Sequence, residues 1–328
     1  MINLAGKSRR KLRIGVLDFS GVTPSSLIGG APSGNGIKKV RDQIKVLKRA
    51  IKDEGHTPVI YKVEDSQLFF DKKSAEILYK NHKIKGCDVL LPRIDFSLNI
   101  DLELSIIKQF QMMGIPVVNK YMPIARAKNK LRTMQILTNS RIPVPRTVVV
   151  RRFEYLDEAI KSVGGYPVIL KVAYGTYGIG VVLLESRRSL YSTLDILWKH
   201  SGSNLVLIQE YVAEAQGTDI RAFVVGNKVV AAMKRVAKAG DFRSNLDLGG
   251  EAQRAKLNEH EEKMAVRATK ALNLDISGVD IIRTKRGPVI MEINSNPGIA
   301  GITTTTGVDV ASEVIRYAIK VANKKLKK

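Results

Sequence analysis

Gly278-Val-Asp-Ile-Ile-Arg-Thr-Lys-Arg-Gly-Pro-Val-Ile-Met-Glu-Ile-Asn294 decides how this chain folds. Two apolar runs, 278–284 and 289–294, flank Lys285-Arg-Gly-Pro288. Gly287 accepts a left-handed backbone and Pro288 is tolerated as a first strand residue. The spacing therefore predicts a hairpin with a three-residue loop, 285–287. That loop sets Asp280 opposite Glu292, and the two-residue period of a strand puts Glu292 and Asn294 on one face. Asp280, Glu292 and Asn294 then converge as three oxygen donors among Ile281, Ile282, Ile290, Met291 and Ile293. Two solvated acids on an amphipathic hairpin are the bland alternative. The apolar neighbours favour instead a bound hard cation such as Mg²⁺, which takes carboxylate, amide, water and phosphate oxygens.

Upstream, Pro167-Val-Ile-Leu-Lys-Val-Ala-Tyr-Gly-Thr-Tyr-Gly-Ile-Gly-Val-Val-Leu-Leu184 reads as strand, Gly-rich loop, strand. Lys171 ends the first strand. Gly175, Gly178 and Gly180 let backbone N–H groups approach phosphate oxygens without a Cβ clash. The loop lacks the Gly-Lys-Ser/Thr of a Walker A motif, and no helix follows at once as in a Rossmann fingerprint. Val206-Leu-Ile-Gln-Glu-Tyr-Val212 can present backbone groups to a base edge, and Asp219 of Asp219-Ile-Arg-Ala-Phe-Val-Val225 can accept from ribose hydroxyls. Lys234-Arg-Val-Ala-Lys-Ala-Gly-Asp-Phe-Arg-Ser-Asn-Leu246 surrounds a Gly-Asp turn with four cations, and arginine forks match phosphate or carboxylate geometry. No serine or cysteine nucleophile stands near a histidine base, so covalent catalysis is not expected. A metal set, a phosphate loop and cationic clamps are the parts that phosphoryl transfer needs.

The rest of the chain supplies the scaffold. Strands read at 12–18, 58–63, 87–92 and 115–118, with helices at about 37–51, 72–81 and 100–113. This alternation is α/β with a parallel sheet. A helix near 122–139 follows, and Pro143 and Pro145 mark a linker. Beyond it strand pairs dominate, at 146–151, 167–172, 180–184, 205–211, 219–225, 228–237, 278–284 and 289–294. Helices read near 153–163, 187–200, 258–273 and 308–325. The fold class is α/β, turning α+β in the C-terminal part.

Composition narrows the function. The 328 residues suit roughly two domains with a sizeable core. A single cysteine, Cys87, and four scattered histidines leave no disulfide framework and no Cys-based zinc site. No apolar run approaches the ~18 residues of a membrane span, and residues 1–10 lack a signal-peptide core. A cytoplasmic setting without membrane contact is expected. Charge is less ordinary: 54 Lys+Arg face 31 Asp+Glu, a net of +23. Residues 1–52 hold 12 basic and 2 acidic side chains, and residues 316–328 hold 6 basic and none acidic. Such ends attract a polyanion: RNA, a ribosome or an acidic protein tail. No aromatic-rich RNA-binding motif accompanies them.

The order of these motifs resembles the ATP-grasp superfamily, and within it the RimK-like ligases that add glutamate to a ribosomal protein. The resemblance runs from about Leu91 to Asp309. It rests on Leu-Pro-Arg-Ile94, Ala125-Arg-Ala-Lys-Asn-Lys-Leu-Arg132, Gly-Ile-Gly-Val-Val-Leu183, Gln209-Glu-Tyr211, Asp219-Ile-Arg221, Gly240-Asp-Phe-Arg-Ser-Asn-Leu246, Gly249-Gly250, Gly278-Val-Asp280, Met291-Glu-Ile-Asn294, Pro297-Gly298 and Thr305-Thr-Gly-Val-Asp309. It implies three parts: a preATP-grasp α/β domain over 1–120, a central domain with its lid over 121–207, and a nucleotide- and metal-binding domain over 208–328. It implies that Lys130 and Lys171 contact ATP phosphates. Tyr174, Gly175, Thr176, Gly178 and Gly180 would belong to the loop closing over them. Glu210 and Tyr211 would lie at the adenine hinge, Asp219 at the ribose, and Arg243, Ser244 and Asn245 at the phosphate or acyl-phosphate site. Asp280, Glu292 and Asn294 would hold two Mg²⁺ or Mn²⁺ ions. Arg221, Arg235, Arg243 and Asn294 would carry catalytic roles.

The implied activity is an ATP-dependent carboxylate–amine ligation, with L-glutamate as donor and an acidic protein C-terminus of the ribosomal small subunit as acceptor. A homotetramer and contact with the ribosome or another polyanion are further implications. Relatives within the superfamily ligate an amino acid to an acidic carrier protein or to a coenzyme's glutamyl tail. A basic RNA-binding protein retaining a nucleotide fold is the non-enzymatic alternative. Asn129 stands where family members commonly carry Asp, and Tyr177 where Gln or Ser is common.

Overall fold

A computed structural model of the chain describes residues 10–19, 34–72, 74–93, 100–175, 180–200, 205–246 and 249–327. These group into two compact units: 1–121 with 309–328, and 122–308. In chain order the strands and helices are β1 (Arg13–Asp18), α1 (Gly34–Asp53), β2 (Thr57–Lys62), β3 (Ser66–Phe70), β4 (Ala75–Tyr79), β5 (His82–Lys83), β6 (Val89–Arg93), α2 (Ile100–Met112), α3 (Tyr121–Lys128), α4 (Lys130–Asn139), β7 (Thr147–Val150), α5 (Leu156–Val163), β8 (Val168–Val172), β9 (Val181–Leu184), α6 (Arg187–His200), β10 (Val206–Glu210), β11 (Thr218–Val225), β12 (Lys228–Val236), β13 (Glu251–Arg254), α7 (Glu259–Ala271), β14 (Ile276–Thr284), β15 (Gly287–Asn294), α8 (Ile299–Thr306) and α9 (Val310–Leu326).

In the first unit β1 is the middle strand of a parallel sheet ordered β2-β1-β6. Its side chains from Ile14 to Asp18 are buried. Gly15 permits a close approach, because a Cβ there would stand 2.6 Å from Cys87 Sγ. The C-terminal helix α9, expected to continue the 208–328 part, packs instead on α1 and β6. Val314, Ile315, Ala318 and Ala322 form its buried face.

The expected helix at 72–81 is a correction. Ala75–Tyr79 is a strand in an antiparallel sheet ordered β3-β4-β5. Lys80 and Asn81 both have positive φ, 52° and 64°. Two such residues turn a tight hairpin, which a helix cannot contain. The strand expected at 115–118 reduces to one parallel bridge, Val117 with Leu90. The single helix expected over 122–139 breaks at Asn129, whose side chain accepts from Arg132 N and caps α4.

The second unit holds two antiparallel sheets. The first, ordered β7-β10-β8-β9, packs Val206, Ile208, Val168 and Leu170 against Leu156, Ile160, Leu190 and Leu194 of α5 and α6. Alternation leaves Lys171, Leu207 and Gln209 on the other face. The second, ordered β13-β12-β11-β14-β15, packs Ile220, Ala222, Val279, Ile281, Ile290 and Ile293 against Met264, Ala265 and Ala268 of α7.

The β14–β15 hairpin differs from expectation in its turn. Thr284 pairs with Gly287, so the loop is the two residues Lys285 and Arg286. Asp280 nevertheless pairs with Glu292, because the register shifts by one between Asp280 and Ile281. Met291 is the extra residue of this β-bulge. The bulge explains why Ile290 and Ile293, three apart, both reach the α7 core, while Met291 and Glu292 face away from it.

Candidate active site

The side of the five-stranded sheet turned away from α7 carries a lattice of charge. Arg221 on β11 pairs directly with Asp280 on β14, and Asp219 with Arg235 on β12. Arg221 donates from Nε to Asp280 Oδ1 at 2.7 Å and from Nη2 to Oδ2 at 2.6 Å. Arg235 donates to both oxygens of Asp219, at 2.7 and 2.5 Å, and its Nη2 lies 2.8 Å from Asp280 Oδ2. The Ser244 hydroxyl donates to Asp219 Oδ2 at 2.6 Å. Asp280 is buried; burial alone would raise its pKa, but the guanidiniums of Arg221 and Arg235 hold it below the usual carboxylate value.

Two lysines stand beside Glu292. Lys130, at the start of α4, donates from Nζ to the Gly175 carbonyl at 2.8 Å and lies 3.9 Å from Glu292 Oε1. Lys171 is buried on β8. Desolvation pushes its pKa down to about 8, against the attraction of Glu292 and with the repulsion of Lys130. Lys130, Lys171 and Glu292 share a cleft with Ala127, Met134, Leu207, Gln209 and Met291. The lining combines two cations with largely apolar side chains, the mixture that a nucleotide's phosphates and base require.

Asp280, Glu292 and Asn294 occupy the places that the sequence assigns them on the hairpin. Among the described residues no three acids, histidines or cysteines converge; the three residues expected from the sequence, Asp280, Glu292 and Asn294, offer two carboxylates and an amide. A carboxylate has about four lone-pair directions, and the arginines take three of Asp280's. Among the described residues, the one ion pair of Glu292 is with Lys130, at 3.9 Å. This set fits a hard cation that keeps water and phosphate in its shell, Mg²⁺ rather than a soft metal.

Other expected residues are placed less directly. The Glu210 carboxylate is held by Arg146 Nε and N, at 2.7 and 3.1 Å, and by Arg286 Nη2 at 2.7 Å. Burial would raise its pKa, but these donors keep it low. The side chain thus locks the end of β10. Arg243 donates to both oxygens of Asp241 rather than pointing an open fork at the cleft. Tyr174 is exposed, while Tyr211, Asn245 and Gly175 are half-buried. Gly180 has φ 73°, and a Cβ there would stand 2.4 Å from Val172 Cγ2. Thr176 and Gly178 lie outside the described residues.

Gln209 is a site residue that sequence reasoning quotes without giving it a role. Its Nε2 donates to Thr147 Oγ1 at 2.8 Å, and Thr147 Oγ1 in turn donates to the Pro145 carbonyl at 2.9 Å. The Thr147 proton is spent on Pro145, so the Gln209 amide is oriented, and among the described residues its buried Oε1 has no hydrogen-bond partner. Alternation from the buried Ile208 is the signal that could have found it. Arg146 and Arg286 were also missed. Both are distant in sequence from the carboxylate they hold.

This architecture is that of an ATP-grasp ligase. Its fold matches that of the ATP-grasp ligase PsnB complexed with its minimal precursor, with a TM-score of 0.69, 18% identity, and 95% and 99% of the two chains covered. It also matches D-alanine–D-alanine ligase of Bacillus anthracis, with a TM-score of 0.67, 17% identity, and 96% and 99% covered. The chain belongs to the RimK-like ATP-grasp family: residues 127–318 match the RimK-like ATP-grasp domain and 41–124 the RimK PreATP-grasp domain. The probable alpha-L-glutamate ligase 2 of Pseudoalteromonas atlantica is 41% identical over 278 residues, 85% of this chain and 91% of the relative. The ribosomal protein bS6–L-glutamate ligase of Shigella boydii is 40% identical over 279 residues, 85% and 92% of the two chains. Ligases of this family use ATP and Mg²⁺. Among the described residues no helix is long and apolar enough to cross a membrane.

Proposed function

We propose that this chain joins L-glutamate, repeatedly, to the C-terminal carboxylate of a small-subunit ribosomal protein in the cytoplasm, with ATP as the energy source. The acceptor carboxylate attacks the γ-phosphorus of ATP, the bond to the β-phosphate oxygen breaks, and ADP leaves. The glutamate amine then attacks the acyl carbon, loses a proton and expels phosphate, which leaves an amide. Lys130 and Lys171 hold the phosphate oxygens during the first step. Arg221 and Arg235 keep Asp280 ionised and fixed. Asp280, Glu292 and Asn294 would hold two Mg²⁺ or Mn²⁺ ions, which supply neutralisation of charge on the transferring phosphoryl group. The backbone at Glu210 and Tyr211 receives the base, and Arg243 and Asn245 flank the acyl phosphate.

One observation carries this reading: Lys130, Lys171 and Glu292 line a single cleft, with Asp280 beside Glu292 in register. The test is phosphate release from Mg·ATP with each amino acid, with and without purified ribosomal proteins, followed by mass spectrometry. Glutamate-dependent release with ladders of added glutamyl mass is the expected result. Release with another amino acid, or with a carrier protein or coenzyme modified instead, would overturn the acceptor assignment.

A further inference from the structure

Two helices that pack together each carry a stripe of exposed cations. On α1 the exposed cations are Arg41, Lys45, Lys48, Arg49 and Lys52, steps of three and four that lie along one helical face. Ile44, Leu47 and Ile51 bury the opposite face. On α9 and its cap, Arg316, Lys320, Lys324 and Lys327 repeat at the same spacing, opposite the buried Ile315, Ala318 and Ala322. The two helices pack together, and Arg316 Nε donates to Glu54 Oε1 at 2.8 Å. Acids answer only Lys45, Arg49 and Arg316. Among the described residues, Arg41, Lys48, Lys52, Lys320, Lys324 and Lys327 have no ion-pair partner.

A merely solubilising surface has a different look, and this chain contains one. On α7 the exposed Glu259 and Glu262 sit among the exposed Lys263, Arg267 and Lys270, and Lys263 Nζ lies 2.6 Å from Glu259 Oε1. We infer that the α1/α9 face docks the phosphodiester backbone of structured RNA. Each stripe runs over 11 helical rises, about 16 Å at ~1.5 Å per residue, and packed helix axes lie about 8–10 Å apart. A nucleic acid strand presents a charge every ~3.4 Å, so both stripes meet several phosphates. Long, flexible cations spaced along two packed helices suit contact with a phosphate backbone read by shape. The choice of RNA among polyphosphates rests on the proposed ribosomal-protein acceptor.

The test uses the full chain and a fluorescent RNA hairpin of about 20 base pairs, titrated at several salt concentrations, with an oligo-glutamate peptide as competitor. The triple variant Arg41→Glu, Lys48→Glu, Lys320→Glu is expected to bind RNA at least tenfold more weakly. Its log–log salt slope should be shallower by about 0.9 for each phosphate left without its cation. The matching triple Gln variant guards against misfolding and should fall between the two. Glutamate ligation to a free acceptor protein should be unchanged in both variants. Equal RNA affinity for wild type and the Glu variant would overturn the inference, as would oligo-glutamate displacing RNA at equimolar concentration. Absence of ligation, with RNA binding present in the wild type and abolished in the Glu variant, would count against the proposed function alone.

Discussion

Arg221 grips Asp280 through both carboxylate oxygens across directly paired positions of β11 and β14, and Arg235 closes on the same carboxylate from β12. Removing the charge strands two guanidiniums, of which Arg235 is the more buried. Asp280→Asn is therefore expected to cost about 3–5 kcal/mol of stability as well as ATP turnover. Urea midpoints and phosphate release check both. The sign with pH follows from its lowered pKa: the wild type holds this stability above the ordinary carboxylate range and loses it as pH falls through the depressed value, whereas the variant lacks that acid limb.

Glu292 is different because its side chain is 38% exposed and its one ion pair among the described residues is long, 3.9 Å to Lys130. Glu292→Gln should leave the stability within about 0.5 kcal/mol of wild type. Turnover should fall by about 10²-fold or more, the scale of losing one charge-stabilising group. Calorimetric titration of Mn²⁺ in the presence of ATP should show weakened metal binding. Wild-type turnover in this variant would remove Glu292 from the metal set.

Lys171, with a pKa pushed down to about 8, is the lysine that titrates near neutrality. The unfolded chain keeps this proton up to the ordinary lysine range, so the folded state binds fewer protons between about 8 and ~10.4. Stability should rise with pH through that window, and Lys171→Met should flatten the rise. ATP prefers the charged form, so its dissociation constant should increase above pH 8 in the wild type. Calorimetric titrations at pH 7 and 9 separate the two effects.

Gln209 carries a buried acceptor without a hydrogen-bond partner among the described residues. Gln209→Leu removes an unsatisfied polar atom together with the Nε2 bond to Thr147, so the two effects offset and stability should stay within about 1 kcal/mol of wild type. If the atom serves the base's amino group, the KM for ATP should rise about 5–30-fold, for a lost bond of ~1–2 kcal/mol, with kcat nearly unchanged. Discrimination of ATP from GTP should narrow in parallel.

Legibility in the sequence followed locality. The Asp280–Glu292 pairing was readable because both lie in one hairpin, although it was reached through a three-residue loop where the molecule uses two residues and a bulge at Met291. Lys130 and Lys171 were readable from a motif order that the family shares. The Arg146–Glu210–Arg286 cluster was not, since its members lie 64 and 76 positions apart. The hairpin at 75–83 was misread as helix because Ala75-Glu-Ile-Leu-Tyr79 has no strong period, and its turn uses Lys80-Asn81 without glycine. The strand Glu251–Arg254 and the helix Ile299–Thr306 carry too few apolar residues in period to announce themselves.

The packing of α9 on α1 and β6 sets an order on biosynthesis. Residues 122–308 have all their internal partners once residue 308 has left the ribosome, and units of this kind fold as they emerge. The first unit is translated earlier and yet waits longer. Val314, Ile315, Ala318 and Ala322 reach it only after residues 122–308 have been made. The domain made first is thus completed last, and nascent chains halted before residue 310 should display an unfinished N-terminal unit to chaperones beside a finished second one.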